Sequence, residues 1–236
     1  MKQKKLNLNY GIHESLAVGI MLSLVGGILD THTFLFRHGV FANTQTGNII
    51  FLALSFVNEN FNKGVNCIFS MSAFVIGVFL TEYFKYRYKK SQLKFINLVL
   101  LLEIFFLAIL ALIPMNKLNS LVITTISFVC SLQTNSFRSL KGSPYASTMC
   151  TGNLRSAAAF FLKFIVTKNK NSGPSFLQFM TILSAFFLGA VFSKFLTDFF
   201  GQLTLLFCSS ILILTLILVN YKHFHNKKIM EIDIEI

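Results

Sequence analysis

Apolar residues along this chain come in long unbroken runs, not in the alternating or one-sided stripes of a soluble domain. Six runs approach the roughly 20 residues that a helix needs to cross a bilayer. They lie at about residues 16–36, 66–85, 95–114, 119–139, 176–198 and 203–221. Two further apolar stretches are shorter or broken. One starts at Asn48, reads NIIFLALSFV and stops at Asn58-Glu59-Asn60. The other starts at Asn153, reads NLRSAAAFFLKFIV and carries Arg155 and Lys163. Ten apolar residues make a helix of about 15 Å, half of the hydrocarbon core. Both stretches are therefore expected to be re-entrant half-helices.

Charge placement favours the same count. With six crossings and the N-terminus cytoplasmic, seventeen of the 21 Lys and Arg fall on the inner side, including Lys85–Lys94, Arg138, Arg155 and Lys163. Arg37, Lys63, Lys117 and Lys194 fall outside. Eight crossings would level the split and leave Arg155 within the membrane, against the positive-inside rule. The expected location is thus a bacterial cytoplasmic (inner) membrane, multi-pass, with both termini cytoplasmic. The chain divides into a basic N-terminus (1–15), a first membrane repeat (16–115), a second (116–222) and a cytoplasmic tail (223–236), forming one membrane domain.

Composition narrows the class. Apolar residues make up 54% and charged residues 13% of the chain, against about 45–50% and about 25% in soluble domains. That excludes a disordered chain. The net charge of +12 is spent on punctuating apolar runs and forms no basic face, so no nucleic-acid partner is expected. The N-terminus MKQKKLNLNYGIHES is basic, but no small-residue cleavage site follows, which reads as an uncleaved anchor. Cys67, Cys130, Cys150 and Cys208 have no CxxC spacing and read as small buried hydrophobes. No metal and no cofactor is expected.

The two halves share an order: a long helix, a polar link, Thr-Gly-Asn, a short helix, then two long helices. Thr46-Gly47-Asn48 and Thr151-Gly152-Asn153 lie 105 residues apart. At that offset Asp30 falls opposite Asn135. A three-helix unit starts its second copy on the opposite membrane face, so the fold class is all-α: a polytopic membrane helix bundle of six transmembrane helices in two inverted three-helix repeats, each with a short re-entrant half-helix after a Thr-Gly-Asn motif. Transporters use this plan repeatedly. Glycine lets the chain turn, the preceding Thr is placed to cap the short helix, and that helix start carries partial positive charge. The plain alternative is a capped loop at the surface.

These residues resemble the YoaK family of bacterial membrane proteins. The matching stretches are Gly26-Gly27-Ile28-Leu29-Asp30-Thr31, Phe41-Ala42-Asn43 and Thr46-Gly47-Asn48 in the first half. In the second they are Leu132-Gln133-Thr134-Asn135, Arg138 and Thr151-Gly152. The resemblance covers roughly residues 15–220. It implies a six-span inner-membrane protein and no established substrate or reaction. The family's second half usually carries a Gln-Asn pair and a double Arg; here Thr134 separates Gln133 from Asn135 and only Arg138 precedes Leu140.

Polar groups inside spans are costly and mark functional candidates. Asp30 leads, with Thr33 and Arg37 on its helical face. It would bind a cation, carry a proton, pair with Arg138, or hydrogen-bond the amides that begin the short helix. Glu103 sits mid-span in LVLLLEIFFL and reads as a proton relay or as neutral helix packing. Gln133 and Asn135 line a solute path or act as interhelical glue. Arg138 and Arg155 meet an anionic substrate or lipid head groups. The candidate substrate-binding set is Asp30, Thr33, Asn43, Thr46, Gly47, Asn48, Gln133, Asn135, Arg138, Thr151, Gly152 and Asn153, with Asp30 and Glu103 as the proton-relay pair. There is no HExxH, Gly-rich phosphate loop or GxSxG, so no enzyme is expected. The leading expectation is a small-solute transporter or channel with membrane lipid and an unidentified solute as partners and an open oligomeric state. The alternative is a non-transporting scaffold, sensor or assembly partner.

Overall fold

The computed structural model describes residues 11–88 and 91–234, except the side chains of Ile12 and of 222–234. The basic segment 1–10, Lys89 and Lys90, and the side chains of His223 and His225 lie outside the described residues. Eight α-helices follow one another: α1 (Leu16–Phe36), α2 (Gln45–Val57), α3 (Phe61–Arg87), α4 (Gln92–Leu110), α5 (Asn119–Ser136), α6 (Cys150–Thr167), α7 (Ser172–Phe200) and α8 (Thr204–Ile234). A two-stranded antiparallel hairpin, β1 (Ser139–Leu140) with β2 (Ser143–Pro144), links α5 to α6. A short 3-10 turn, Ile12–Glu14, precedes α1.

Four stretches are long and apolar enough to cross a membrane: α1, α3, α4 and the run Ser172–Tyr221, which holds α7 and most of α8. Their outward faces carry large apolar side chains such as Phe79, Phe187 and Phe199. Ser70, Ser127, Ser131, Ser193 and Thr197 are buried between helices. Polar inside and apolar outside suits a lipid surround, where small polar residues let helices meet. The chain therefore has the make-up of a helical membrane protein.

The helix positions follow the apolar runs closely, with three differences. The run expected to cross at 119–139 is an interior helix. It stops at Ser136, and its last turn, Gln133-Thr134-Asn135-Ser136, is buried against neighbours. It is not among the stretches apolar enough to span. The second short helix, α6, has 18 residues, about 27 Å, because Arg155 and Lys163 lie on its exposed surface and do not interrupt it. The first, α2, has 13 and is as short as expected. The helix expected to end near 221 continues as α8 to Ile234.

Packing follows an exchange rule. α1 packs on α7 as α5 packs on α3; α2 packs on α3 as α6 packs on α7; α1 packs on α8 as α5 packs on α4; and α4 packs on α8. Directions follow from named contacts. In the α1–α7 pair, Gly19 meets Ile182, the Ser193 hydroxyl donates to Ile28 O at 2.8 Å, and His32 Nδ1 lies 3.2 Å from Thr197 Oγ1, so the two helices run parallel. The α3–α5 pair is parallel too: Ser70 Oγ is 2.7 Å from Ser127 Oγ and Asn135 Nδ2 donates to Glu82 Oε1 at 2.8 Å. Asn97 pairs with Asn220 and Ser209 with Ile104 O, so α4 and α8 are antiparallel.

The ends fix α1 against α5. Beyond the end of α1, the Arg37 guanidinium reaches Asn119 Oδ1 at 2.7 Å and the carbonyls of Ile113, Pro114 and Lys117. Before its start, Glu14 O accepts from Lys141 N, past the end of α5. The start of α1 thus lies beside the end of α5, and its end beside the start of α5. We call the side on which α1 begins the near face and the other the far face. Gln92, at the start of α4, touches His13 and belongs to the near face.

Two glycines make the tightest crossing possible. A Cβ on Gly27 would run into Phe186 O, and one on Gly189 into Leu24 O. Gly27→Val is therefore expected to destabilise the fold by about 1–3 kcal/mol or more through overpacking. Gly152→Ala, where a Cβ would meet nothing within 4 Å, is expected to leave the thermal midpoint in detergent nearly unchanged. Equal midpoints for the two variants would refute this packing.

Candidate functional site

A helix that begins inside an apolar bundle needs partners for its free amides. The loop that delivers the chain to α2 is held by Asp30, which is almost wholly buried in α1. The Asn43 amide donates to Asp30 Oδ1 at 2.6 Å and the Thr44 hydroxyl to Asp30 Oδ2 at 2.6 Å. Among the open readings of Asp30, this is the hydrogen bond to the start of the short helix. It also places a carboxylate at the positive end of the α2 dipole. Arg138 does not reach it: its ion pair, at 3.6 Å, is with Glu82.

Thr-Gly-Asn lies one step further along than its sequence suggests. Helix α2 begins at Gln45 and α6 at Cys150, so both motifs form the first helical turn and not the link. Neither Thr46 nor Thr151 is a capping residue; both are exposed on that turn. The asparagine carries the motif's structural role. Asn48 accepts from Phe41 N at 2.9 Å and donates to Phe41 O at 2.7 Å. Asn153 accepts from Ala146 N at 3.5 Å and donates to Ala146 O at 2.7 Å. Both are buried, both reach seven residues back, and the 105-residue offset pairs them. Each pins the loop that leads into its short helix by mimicking a backbone partner.

The loop is tethered a second time from the long helix before it. In the first half Asp30 holds Asn43 and Thr44. In the second, Gln133 Nε2 donates to Ser147 Oγ at 2.8 Å and Thr134 Oγ1 lies 3.1 Å from Thr148 Oγ1. Gln133 is thus interhelical glue, also reaching Leu22 O. Asn135, the positional counterpart of Asp30, turns away to Glu82.

Behind the shared frame the halves differ. In the first, the Phe41 ring packs on Gly47, and Phe34, Phe41 and Phe51 stack with centroids 4.6–5.9 Å apart. Their offset counterparts Phe41 and Phe51 become Ala146 and Ser156 in the second half. There a cavity of about 660 Å³ opens beside the first turn of α6, lined by Tyr145, Ala146, Gly152, Asn153, Arg155, Ser156, Lys163 and Phe179 among others. A second cavity of about 340 Å³ shares Pro144, Tyr145, Ala146 and Met149 with it and adds Thr134, Asn135 and Arg138. Together they form a vestibule. Thr148, the neighbour of Met149 in the lining of both cavities, packs against Gly26 halfway along α1, which puts the inner end of the vestibule near the middle of the bundle. Burial pushes the Tyr145 phenol upward in pKa, so it remains a neutral hydroxyl.

Of the sequence-derived site residues, Asn135, Arg138, Gly152 and Asn153 line this vestibule. Asp30, Thr33, Asn43 and Asn48 are buried in the frame; Thr33 donates to Leu29 O. Glu103 is buried in α4 with Oε1 unpartnered, away from the vestibule lining. Two residues carry more than the sequence indicated. Arg37, expected as an outer-loop charge, is wholly buried and holds the α4–α5 turn; its place at helical spacing i+7 from Asp30 was the available signal. Tyr145 lines both cavities and follows Pro144 in a link whose other aromatic is Phe137, a weak signal.

The family model described as "Protein of unknown function (DUF1275)" matches residues 18–218. The chain belongs to this family. The resemblance to the YoaK family carried by the glycine, aspartate and Thr-Gly-Asn motifs is a resemblance to this same family. No curated protein and no solved structure matches the chain. In this DUF1275 chain the motif residues thus form the frame of the two short helices.

Two outcomes check the site. Asp30→Ala strands the Asn43 amide and the Thr44 hydroxyl, at about 1–3 kcal/mol for a buried unsatisfied group. Asp30→Asn keeps an acceptor for the amide and is expected to lose less; a thermal melt in which both variants lose equally would contradict the tether. Cys67, Cys130 and Cys208 are buried and Cys150 is partly exposed beside the vestibule. A maleimide is expected to label Cys150 first in the folded protein, with the other three reacting only on unfolding, read by mass spectrometry.

Proposed function

We propose that this protein is a small-solute transporter or channel of the bacterial cytoplasmic membrane, built from two inverted repeats and not an enzyme. The observation that carries this reading is the vestibule: a mainly apolar hollow edged by Arg138, Arg155 and Lys163 that reaches the first turn of α6 near the middle of the bundle. Solute sites at the midplane beside broken helices are the recurring arrangement in inverted-repeat transporters.

The helix directions support six crossings. Arg37 and His38 lie against the α4–α5 turn at the far face, so the chain leaves and returns on one side between α1 and α5. That requires an even number of crossings among α2, α3 and α4, which α3 and α4 supply. Helix α2 then starts at the level of Asp30 and returns to the far face, where Gly64 in α3 packs on Ser55. Helix α6 does the same toward the near face: Phe160 stacks on Phe179 and Phe164 packs on Gly173 at the start of α7. Asn220 beside Asn97 brings the last described helix back to the near face. With the basic residues concentrated there, the near face is the cytoplasmic one.

A specific observation favours the second reading, a non-transporting scaffold or sensor. The far-face counterpart of the vestibule is filled by the stacked rings of Phe34, Phe41 and Phe51.

Two measurements test the proposal. Single cysteines at Tyr88 and Lys170 in a cysteine-free background are expected to be shielded from an impermeant thiol reagent in intact cells; labelling of Tyr88 alone would mean that α2 and α6 cross. In proteoliposomes, a broad solute panel is expected to give flux that Gly152→Trp, which fills the vestibule, abolishes. Flux unchanged by that variant, or none with any solute, favours the scaffold.

A further inference from the structure

The two short helices face the same electrostatic problem and meet it differently. At α2 the protein supplies its own anion, Asp30, whose carboxylate takes the Asn43 amide and the Thr44 hydroxyl at 2.6 Å each. At α6, an 18-residue helix, no side chain caps the first turn, as none does at α2; the difference is that among the described residues no carboxylate is hydrogen-bonded to the loop before α6. The residue at the position of Asp30 is the neutral Asn135, and it points to Glu82. No carboxylate is bonded before α6 as Asp30 is before α2, although the Asp30 charge reaches Cys150 in that first turn.

The space beside that turn is built for an outside anion. The α6 surface along the 660 Å³ cavity presents Gly152, Arg155, Ser156, Ala159 and Lys163. At the same positions α2 has Gly47, Ile50, Phe51, Leu54 and Asn58. Two cations and small side chains thus stand where the first half has apolar side chains, Phe51 in the aromatic stack and Ile50 and Leu54 exposed. Thr148 lies level with Gly26 in the middle of α1, so Arg155 sits about 8–10 Å along α6 from mid-bundle and Lys163 about 12 Å nearer the face. A guanidinium at that depth is costly unless it is wet or paired, and no acidic residue lines this cavity. Tyr145 on the wall is more than nine-tenths buried with its hydroxyl unpartnered. The opposite wall is apolar, formed by the stacked Phe160 and Phe179.

We propose that this cavity binds an organic monoanion with an apolar body: its carboxylate, phosphate or sulfonate group against Arg155 and the first turn of α6, its apolar part against Phe160 and Phe179. The anion takes at α6 the place that Asp30 takes at α2. Lys163 at the mouth draws it in. The inference names the solute class for the transport reading and rests on that reading only in treating the ligand as cargo; binding stands without flux. The same chemistry arises from a free solute and from an anionic lipid head group.

The test is calorimetric titration of the full-length protein in phosphatidylcholine nanodiscs with hexanoate, hexanesulfonate and, as the opposite charge, hexylammonium. Both anions are expected to bind and the cation not. Arg155→Gln, an exposed position, is expected to weaken anion binding at least tenfold, and Ala159→Trp to remove it by filling the groove, with thermal midpoints held. Lys117→Gln, a far-face cation, is expected to change nothing. Repeating the titration in discs containing phosphatidylglycerol separates the sources: binding that persists identifies a free solute, and binding that is displaced identifies the lipid head group. No anion binding, binding equal in wild type and Arg155→Gln, or equal loss in Lys117→Gln overturns the proposal. Anion binding without flux sinks transport alone. Anion flux unaffected by Arg155→Gln sinks this inference and leaves transport standing.

Discussion

Everything in this molecule depends on starting a helix in the middle of an apolar bundle. The free amides at such a start have no water to meet them, and the loop that delivers the chain to mid-depth has unpaired backbone of its own. Asn48 and Asn153 meet the second need by bonding both the amide and the carbonyl of a residue seven places back. Asparagine is suited to this because one side chain carries a donor and an acceptor in the geometry of a peptide group. In the six-crossing arrangement we propose, the pinned loops aim α2 and α6 back toward the faces they came from. The long helices then close around them with Gly27 and Gly189 at the tightest crossing.

The helices were legible in the sequence because hydrocarbon imposes a length and an apolar content on anything that crosses it. The start of α1 at Leu16 and its end at Phe36 could be read directly from the apolar run. The repeat was legible from the spacing of two Thr-Gly-Asn copies, and the same offset pairs the two asparagine clamps. Residue roles were harder to read. Thr46 looked like a cap because a Thr before Gly-Asn fits a cap pattern, yet the helix begins earlier and the loop before it is held by Asp30, fourteen residues back from Thr44. Arg37 looked like a loop cation because it follows an apolar run. It is buried because three carbonyls and Asn119 at the α4–α5 turn replace its water. Such long-range pairings leave no periodic trace.

Shared frame and differing contents explain how one plan yields an asymmetric protein. The clamps are equivalent, the helix pairs exchange in matched sets, and parallel contacts recur in both halves. What differs is the side chains inside the frame: Asp30 against Asn135, Phe41 against Ala146, Ile50 against Arg155, Phe51 against Ser156. In the first half Asp30, Phe41 and Phe51 fill charge or space from within, while Ile50 is exposed. In the second their counterparts leave charge or space open. These side-chain differences go with a longer link, which carries the β1–β2 hairpin, and a longer short helix.

That asymmetry bears on how a solute would pass. A protein that alternates by exchanging the conformations of its two repeats needs each repeat able to adopt the other's shape. The Phe34–Phe41–Phe51 stack is held by Lys63 as well, whose ammonium lies 3.9 Å from the Phe51 ring centre. Opening the far face therefore means unstacking three aromatic rings and releasing a cation, while the near face needs no equivalent step. Lys63 also lines a separate far-face cavity of about 290 Å³ with His38, Asn60 and Asn66, so the plug borders space into which it can move. In the transport reading the barrier to passage sits at the far face, and the aromatic stack, not the clamped short helices, is the element whose movement would open it.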